Sequence, residues 1–470
     1  MAQNRPYFFC GVGGSGMLPL ALIVLAKGHA VSGSDRALDQ GRTPEKFGFL
    51  RGRGIKLFPQ DGSGVKDPNL IVVISTAVEE TIPDVKAARA IGAQLITRAE
   101  LLAQLFNAAP VSIGVAGTSG KTTTTGMVGW ILQQAGRHPT IMNGGVMKNF
   151  ITEDTPFASA VVGGGEIFVS EVDESDGSIA HYRPRIAVLN NISLDHKSLD
   201  ELRALFRDFV AKADIAVMNL DDKETAAIAT RVPTNKVITY SLTHANARLV
   251  GGNLTPTPEG ISFELREGKG AAIPVKLMVP GRHNVANALA ALGAALAAGV
   301  PLQEAAQALH SFNGIRRRLE IAGAAKGVTV IDDFAHNPDK IAATLATLHA
   351  FPGRLLVMFQ PHGFGPLKKM KDEFIACFAD NLRGPDVLIM PEPVYYGGTT
   401  DKSIGSEEIV RGVSARGRTA YVFATRDACG EKLIELARVG DRIVVMGARD
   451  DTLSQFSGDL LKRLGGLAHD

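Results

Sequence analysis

The sequence has little of what marks membrane, nucleic-acid-binding or disulfide-bonded proteins. Lys and Arg total 50 against 48 Asp and Glu, a net charge of +2, and the basic residues are scattered along the chain. Such a distribution offers no attractive surface to nucleic acid or to a membrane. No apolar run approaches the roughly 18 residues of a membrane-spanning helix, and no signal-type segment is visible. We therefore expect an intracellular protein with neither a nucleic-acid partner nor membrane insertion.

Cysteine is also scarce. The three residues, Cys10, Cys377 and Cys429, are far apart, odd in number and without metal-ligand spacing. A disulfide framework or a zinc site needs pairs or close clusters. We predict buried, unpaired thiols without a catalytic role.

Short apolar runs alternate with helix-length segments through almost the whole chain, which is typical of α/β domains with largely parallel sheets. At 470 residues the chain is too long for one hydrophobic core. Breaks in the pattern predict three units, over residues 1–109, 110–315 and 316–470. Within the second unit, the turn-rich stretch ANARLVGGNLTPTPEGISFELREGKG predicts antiparallel hairpins.

The stretch FFCGVGGSGMLPLA places Gly11, Gly13 and Gly16 between a predicted strand and a predicted helix. Glycines in this G-x-G-x-x-G pattern let a phosphate approach the backbone, and the helix N-terminus supplies free N–H groups. Asp35 ends the next predicted strand, where dinucleotide-binding proteins hold a ribose. The pattern predicts a diphosphate ligand. Taken alone, it fits an NAD-dependent oxidoreductase, or a turn that serves packing only.

A second phosphate-binding pattern, GVAGTSGKTTTT, follows another predicted strand. It is shorter than the full G-x-x-x-x-G-K-[ST] pattern, because Val115 stands where the first glycine would be. In such a loop, backbone N–H groups surround phosphate oxygens, Lys121 reaches the terminal phosphates and the Thr122 hydroxyl can bind Mg²⁺. We therefore expect ATP, and an oxidoreductase has no need for this loop.

Polar side chains that suit a metal follow two further predicted strands. Those after EIFVS and IAVL are Glu171, Asp173, Glu174, Asp176, Asn190, Asn191, Asp195 and His196. In an open α/β sheet, the carboxyl ends of the strands face the ligand. Glu171 and His196 are therefore candidate metal ligands, although the acidic cluster also fits a solvated loop.

Together these motifs resemble those of the Mur ligase family, whose members use ATP to add amino acids to the UDP-MurNAc precursor of peptidoglycan. The resemblance covers essentially the whole chain, in order, through GTSGKTTTT, EVDESDGS, NNISLDH, GRHNVANALAAL, GIRRRLE, DDFAH and GDRIVVMGARD. It implies a Rossmann-like N-terminal domain that binds UDP, a central ATPase-like parallel sheet with a small antiparallel section, and a Rossmann-like C-terminal domain that binds the amino acid. It also implies ATP, Mg²⁺ and a bacterial cytoplasmic location.

The resemblance also implies roles for individual residues. The ATP loop would comprise Gly117, Thr118, Ser119, Gly120, Lys121, Thr122 and Thr123. Asn284 and Asn287 would lie near the adenine, although Asn287 also fits a residue that braces its helix. Arg318 would contact the ATP phosphates and Asp333 the ribose.

Metal, donor and acceptor contacts follow in the same way. The metal ligands would be Thr122, Glu171 and His196, and the UDP contacts Gly13, Gly14, Ser15, Gly16 and Asp35. The acceptor contacts would be His336, Asn337 and His362, and the catalytic residues Lys121, His196, Arg318 and His336.

The opening GVGGSGMLPLA with VSGSD is most similar to the branch of the family that adds L-alanine to UDP-N-acetylmuramate through an acyl phosphate. Two stretches depart from that branch. DDFAHNPDK stands for D-D-Y-G-H-H-P-T-E, and FQPHGFGPLKKM for F-Q-P-H-R-Y-[ST]-R-T, which we interpret as two arginines replaced by Gly363 and Leu367. Lys368 and Lys369 either replace their charge or are solvated.

Three alternatives remain open at this point. One is a Mur ligase that joins a similar donor to a different amino acid or to a recycled murein peptide. The others are an NAD-dependent oxidoreductase and a P-loop switch or transport ATPase, both of which leave part of the motif set unexplained.

Overall fold

The structure is a computed structural model that describes residues 5–75, 81–193, 197–393, 403–448, 450 and 452–466. Across these residues the strands form three sheets, and the chain divides into two compact units. Unit 1 comprises Met1–Leu254, Phe263–Lys276 and Asn284–Asn313, and unit 2 comprises Thr255–Ser262, Leu277–His283 and Gly314–Asp470. Among the described helices, none combines the length and the apolar character that crossing a membrane requires.

The first sheet is parallel and has helices around it. Its strands are β1 (Tyr7–Cys10), β2 (Val31–Ser34), β3 (Lys56–Phe58), β4 (Ile71–Ile74) and β5 (Gln94–Thr97). The helices are α1 (Met17–Ala26), α2 (Arg36–Asp39), α3 (Pro44–Gly52), α4 (Pro83–Ala90) and α5 (Arg98–Asn107). The strand order β3-β2-β1-β4-β5 reverses next to β1, and ligands of open α/β sheets bind at such a reversal. The first glycine loop follows β1.

The second sheet carries the second glycine loop. Its strands are β6 (Val111–Ala116), β7 (Thr140–Met142), β8 (Ala160–Val161), β9 (Ile167–Glu171), β10 (Ile186–Leu189), β11 (Ile215–Asn219), β12 (Val237–Ser241), β13 (Leu249–Thr257), β14 (Gly260–Glu267) and β15 (Ile273–Leu277). The helices of this part are α6 (Lys121–Gln134), α7 (Leu199–Ala211), α8 (Lys223–Ala229), α9 (Arg282–Ala297) and α10 (Leu302–Leu309). The strand order is β15-β14-β13-β12-β11-β10-β6-β9-β7-β8.

In this sheet β6 lies between β10 and β9 and pairs parallel with both. The loop after β6 therefore meets the residues that follow β9 and β10 at one edge. β13 and β14 are sheet neighbours joined by two residues, a connection that only an antiparallel pair allows. The predicted hairpin is confirmed.

The third sheet has helices on both faces. Its strands are β16 (Glu320–Ala325), β17 (Val328–Asp333), β18 (Leu355–Gln360), β19 (Val387–Pro391), β20 (Thr419–Phe423) and β21 (Arg442–Gly447). The helices are α11 (Pro338–Leu348), α12 (Phe364–Lys369), α13 (Lys371–Asn381), α14 (Ser406–Ala415), α15 (Arg426–Leu436) and α16 (Thr452–Gly465). In the order β16-β17-β21-β18-β19-β20, only the β16–β17 pair is antiparallel among the described strands.

One apolar core joins the first two sheets. Phe106 on α5 packs edge-on against Phe168 on β9 and against Tyr182, with ring centroids 5.9 and 5.1 Å apart. Aromatic side chains contribute much of the apolar area that cores bury. This core fixes the position of the first glycine loop relative to the second within unit 1.

Candidate active site

The first glycine loop is shaped by close packing behind it. Gly11 has φ +83°, a backbone conformation that favours glycine. A Cβ on Gly13 would lie 3.0 Å from both Asp35 Oδ2 and the Phe47 ring. The Gly13 N–H donates to Asp35 Oδ2 (2.8 Å), and the Ala37 N–H donates to Oδ1 (2.8 Å). Asp35 therefore holds the loop and caps α2, and its predicted contact with UDP remains a prediction.

A cavity of about 400 Å³ opens at this loop. It is lined by Cys10, Gly11, Gly14, Ser15, Gly16, Met17, Asp35, Arg36, Gln60, Ser75, Ile82 and Arg98. Gly14 and Ser15 are exposed, and α1 has no acidic residue in its first turn. The first turn of α1 thus carries no negative charge of its own, so its positive N-terminal end suits an anion.

A buried carboxylate ties the elements below the cavity together. Asp84 is fully buried and accepts hydrogen bonds from Ser34 Oγ (2.5 Å) and from the Gly62 N–H (2.9 Å). Burial raises the pKa of Asp84 against the opposing effect of these bonds. The Cys10 thiol also contacts Asp84, and burial together with this carboxylate raises its pKa to about 12. Sequence reasoning missed Asp84, since it belongs to no motif.

The three cysteines are buried and free, as predicted. Burial raises the pKa of both Cys377 and Cys429 to about 12. Thiols with such pKa values stay protonated near neutral pH and are poor nucleophiles.

The second glycine loop connects β6 to α6, and its two glycine positions have no room for a side chain. Gly117 (φ +129°) and Gly120 (φ +83°) both adopt conformations that favour glycine. A Cβ on Gly117 would lie 3.0 Å from the Asn191 carbonyl oxygen, and one on Gly120 would collide with Asn287 Oδ1. The loop therefore depends on glycine at both positions for space as well as for φ.

Asparagines hold this loop in shape. The Thr118 N–H donates to the Asn191 carbonyl (3.0 Å), and the Ser119 N–H donates to Asn191 Oδ1 (2.8 Å). Asn191 Nδ2 donates back to the Ser119 carbonyl (3.1 Å). These two loop N–H groups are thus bonded within the protein and are not available to a ligand, which leaves the N–H groups at the N-terminus of α6 for that role.

A second set of amides joins the loop to α9. Asn190 Nδ2 donates to Thr124 Oγ1 (3.0 Å), and Thr124 Oγ1 donates to Asn287 Oδ1 (3.3 Å). Asn287 Nδ2 donates to Asn284 Oδ1 (3.1 Å), and both of these asparagines are buried. The structure places Asn284 and Asn287 directly behind the second glycine loop. Their predicted contact with adenine remains a prediction.

Lys121 forms a buried ion pair with a carboxylate. Its Nζ donates to Glu174 Oε2 (2.9 Å) and to the Gly117 carbonyl (2.7 Å), and the two side chains are only 13% and 6% exposed. Burial alone lowers the pKa of Lys121, but Glu174, Glu171 and Asp173 outweigh it, so the pKa lies above its usual value. Lys121 is therefore charged and already paired. The acidic cluster suggested metal ligands at the sequence level and did not reveal this pair.

Two of the predicted metal ligands lie at the same edge of the sheet. Thr122, in the first turn of α6, is buried. Glu171 ends β9, and its Oε2 accepts the Gly144 N–H (3.0 Å). A hydroxyl and a carboxylate are the oxygen donors that Mg²⁺ takes when substrate phosphates complete its coordination. These residues fit Mg²⁺, whereas Asp195 and His196 lie outside the described residues.

Within unit 2, the stretch GIRRRLE has two arginines in different settings. Arg317 is buried, with φ +59°, and donates to Asp332 (3.3 Å) and to the Gly447 carbonyl (2.8 Å). Arg318 lies over the Phe334 ring, 4.8 Å from its centroid. Arg317 is therefore structural, while the role of Arg318 towards ATP remains a prediction.

Asp333 is bonded within its own unit. Its Oδ1 accepts the Leu319 N–H (3.0 Å), and its Oδ2 accepts the Thr344 hydroxyl (2.6 Å). Both oxygens thus fix the start of this unit in place. The predicted contact of Asp333 with ribose remains untested.

The predicted acceptor residues lie close together at the start of α11. The rings of His336 and His362 are 5.4 Å apart and edge-on, while Asn337 caps α11 through the Lys340 N–H (3.0 Å). His336 Nδ1 contacts the Phe334 carbonyl (2.9 Å), which leaves Nε2 as an acceptor. Burial, with Lys340 nearby, lowers the pKa of His336 to about 3, so this ring is neutral at physiological pH.

At Gly363, where the chain departs from the alanine-adding pattern, the backbone conformation itself differs from that of an ordinary residue. Gly363 has φ +147° and ψ 161°, a conformation essentially restricted to glycine. Matching F-Q-P-H-R-Y-[ST]-R-T to residues 359–367 places Pro366, and not Leu367, at the second arginine position. Our interpretation of Leu367 was therefore wrong, and this side chain is buried in the apolar core.

Three family descriptions match consecutive parts of the chain. They are "Mur ligase family, catalytic domain" over residues 6–109, "Mur ligase middle domain" over 115–295 and "Mur ligase, glutamate ligase domain" over 317–449. A UDP-N-acetylmuramate–L-alanine ligase of Cereibacter sphaeroides is 35% identical over 98% of this chain and 97% of its own length. The chain belongs to the Mur ligase family. A relative of the same name from Geobacter sulfurreducens is 34% identical over 94% of both chains.

Solved structures agree with this assignment. The UDP-N-acetylmuramate-alanine ligase of Thermotoga maritima matches this Mur ligase with a TM-score of 0.78 and 25% identity, over 98% of this chain and 99% of the other. A murein peptide ligase of Psychrobacter arcticus matches with a TM-score of 0.72 and 25% identity, over 99% and 100%. The α/β fold with three domains is confirmed. The exact boundaries at residues 109 and 315 remain predictions.

Proposed function

We propose that this Mur ligase uses ATP to join the carboxylate of UDP-N-acetylmuramate to L-alanine, releasing ADP and phosphate, in the synthesis of peptidoglycan precursors. The observation that carries the proposal is the full-length match to relatives that bear this name, at 34–35% identity. The glycine-loop cavity and the phosphate loop, which belong to the same compact unit, support it. Because its substrates would be ATP and a nucleotide sugar, we place the reaction in the bacterial cytoplasm.

The reaction requires activation of the donor carboxylate. Its oxygen attacks the γ-phosphorus of ATP, the bond to ADP breaks, and an acyl phosphate forms. The uncharged amine of L-alanine then attacks the acyl carbon, loses a proton to a base, and phosphate leaves. Negative charge gathers on the transferring oxygens in both steps, so the protein's task is positioning and electrostatic stabilisation.

The residues at the second loop suit this task. The N-terminus of α6 would bind the phosphates, and Lys121 would exchange Glu174 for phosphate oxygens. Thr122 and Glu171 would hold Mg²⁺ together with those phosphates, and this ion supplies further neutralisation of charge. We infer that the Asn191 bonds to Ser119 keep the loop in shape before nucleotide arrives, which lowers the cost of ordering it.

We assign the acceptor side to the pair His336 and His362. A neutral His336 can accept a hydrogen bond from the incoming amine at Nε2 but cannot contribute charge. Arg318, above Phe334, is the cation of this unit that we propose for the ATP phosphates.

The test is phosphate release with ATP, Mg²⁺ and UDP-N-acetylmuramate across a panel of amino acids and the murein tripeptide. The proposal expects turnover that depends on L-alanine. Turnover only with the tripeptide or with another amino acid would change the proposed acceptor and leave the assignment as a ligase intact. No turnover with any acceptor would refute the proposed function.

The separation of the two ligands is tested by Lys121→Ala. This variant should lose ATP turnover and still bind UDP-N-acetylmuramate with the affinity of the unaltered enzyme, measured by calorimetry. Loss of both would mean that the two ligands do not use separate loops.

A further inference from the structure

Arg98 is a cation that no motif identified and that the cavity at the first glycine loop includes among its lining residues. It is the first residue of α5, directly after Thr97, whose hydroxyl caps the helix through the Glu100 N–H (3.1 Å). This capping box fixes where α5 begins. The position of Arg98 at the cavity is therefore set by the backbone.

The side chain of Arg98 packs against the N-terminus of α1. A Cβ on Gly16, the residue that precedes α1, would lie 3.1 Å from Arg98 Cδ and 3.4 Å from Nη1. Gly16 thus leaves room for the arginine as well as for a ligand. Gly14 and Ser15, which are both exposed, line the same cavity as Arg98.

The positive charges at this point are only partly balanced within the protein, because Arg98 interacts with Asp173 through its charge but forms no direct ion pair with it. Among the described residues Arg98 has no hydrogen bond and no ion pair within 4 Å, although it is half-buried. The helix end beside it is also positive and has no acidic residue in its first turn. Asp35, which lines the same cavity, already accepts two backbone N–H groups. A guanidinium that makes no direct ion pair, beside a positive helix end, favours a bound anion.

We propose that the Arg98 guanidinium binds the diphosphate of the UDP-sugar donor, together with the N-terminus of α1. The inference rests on the proposed function, because it takes the nucleotide sugar as the ligand of this cavity. Arginine suits the role, since its planar fork can donate to two phosphate oxygens at once.

The test compares UDP with uridine, because only UDP carries the diphosphate. Calorimetry would measure both ligands on the unaltered enzyme and on Arg98→Met, Arg98→Lys and Arg51→Met. Arg51 lies exposed on α3, so its variant removes the same charge from the same sheet region without touching the cavity. Thermal unfolding and ADP binding would establish that each variant is folded.

We expect Arg98→Met to weaken UDP binding about tenfold or more and to leave uridine binding within about twofold. Arg98→Lys should recover part of the loss, and Arg51→Met should match the unaltered enzyme. In turnover, Arg98→Met should raise KM for the donor more than it lowers kcat, and leave KM for ATP unchanged.

Two results would overturn the inference. One is UDP binding by Arg98→Met within about twofold of the unaltered enzyme, and the other is an equal loss for UDP and uridine, which would assign Arg98 to the shape of the pocket. If the unaltered enzyme bound neither UDP nor UDP-N-acetylmuramate, the proposed function itself would fail, independently of Arg98.

Discussion

The two glycine loops share a strand–loop–helix context and differ in how their polar groups are satisfied. In the first, Gly13 is bonded to Asp35 and to Lys46 Nζ (3.2 Å), and the rest of the loop borders an open cavity. In the second, the loop amides are bonded to Asn191, and Lys121 is paired with Glu174. Arg98 beside the first loop has no direct ion-pair partner among the described residues, whereas Lys121 of the second loop is paired with Glu174.

The difference has an energetic consequence. An anion that enters the first loop gains attraction without breaking an ion pair. Under the proposed function, phosphates that bind at the second loop would have to displace a carboxylate from a buried lysine, and removing one partner from such a pair is costly. We therefore expect the affinity for the donor to depend mainly on the positive charge at the first loop. The affinity for the nucleotide should depend on how readily its phosphates replace Glu174 at Lys121.

The sharpest comparison uses two glycines with the same φ. Gly11 and Gly120 both have φ +83°, but a Cβ meets nothing within 4 Å at Gly11 and collides with Asn287 at Gly120. Gly120→Ala should lower ATP turnover by more than about 100-fold, because either the loop or the buried asparagines bonded to Thr124 must shift. Gly11→Ala should cost only the left-handed conformation, about 1–2 kcal/mol of stability. Steady-state kinetics and urea unfolding of both variants would measure this, and equal losses would remove the distinction.

Two variants, one at each loop, test whether the residue that holds a loop in shape affects only the ligand of that loop. Asn191→Ala removes both side-chain bonds to Ser119 and should raise KM for ATP about tenfold. Asp35→Asn replaces one of two acceptor oxygens and should weaken UDP binding about threefold to tenfold. Each variant should leave the other ligand unaffected in calorimetry. Cross-effects of similar size would show that the loops are coupled through their common core.

A smaller effect is expected from Glu174→Gln. The change keeps the shape of the side chain and removes the charge that holds Lys121. Affinity for Mg²⁺-free ADP should rise about threefold to tenfold, because the phosphates no longer compete with a carboxylate. Fluorescence titration would measure it. Weaker binding in the variant would assign Glu174 to nucleotide binding and not to competition with it.

The smallest effect concerns pH. The acidic neighbours of Lys121 raise its pKa above the ordinary 10.5, so the ammonium stays protonated as the solution is made alkaline up to that value. ADP affinity should therefore be flat from about pH 8 to about pH 10, where an unpaired, desolvated lysine would begin to lose its charge. A fall in affinity within this window, absent from Lys121→Ala, would contradict the raised pKa.

Apolar strands were the predictable part of the fold. YFFC and IAVL are fully buried in β1 and β10, and central parallel strands read as continuous apolar runs. The edge strands β3 and β16 were not predicted, because KLF and EIAGAA have no fully buried residue. Their pairing comes from sheet neighbours and not from their own composition.

The residues of the candidate site also divide into those that a local sequence motif predicts and those that it does not. Glycines and Lys121 stand in a contiguous motif, so their place in the second loop was predictable. Arg98 and Glu174 depend on contacts between elements far apart in the chain, and no local pattern distinguishes Glu174 from its acidic neighbours. The sequence shows that Gly363 stands where the alanine-adding pattern has arginine. Only its φ of +147° shows that this backbone conformation would not accept an arginine.

The Lys121–Glu174 pair also bears on inhibitor discovery. A fragment screen on the nucleotide-free enzyme meets a phosphate loop whose only strong cation is already neutralised, so it selects neutral compounds that leave the pair intact. Screening with the Glu174→Gln variant would present the bare ammonium and select anionic scaffolds. The two screens should therefore return different chemical series from one pocket.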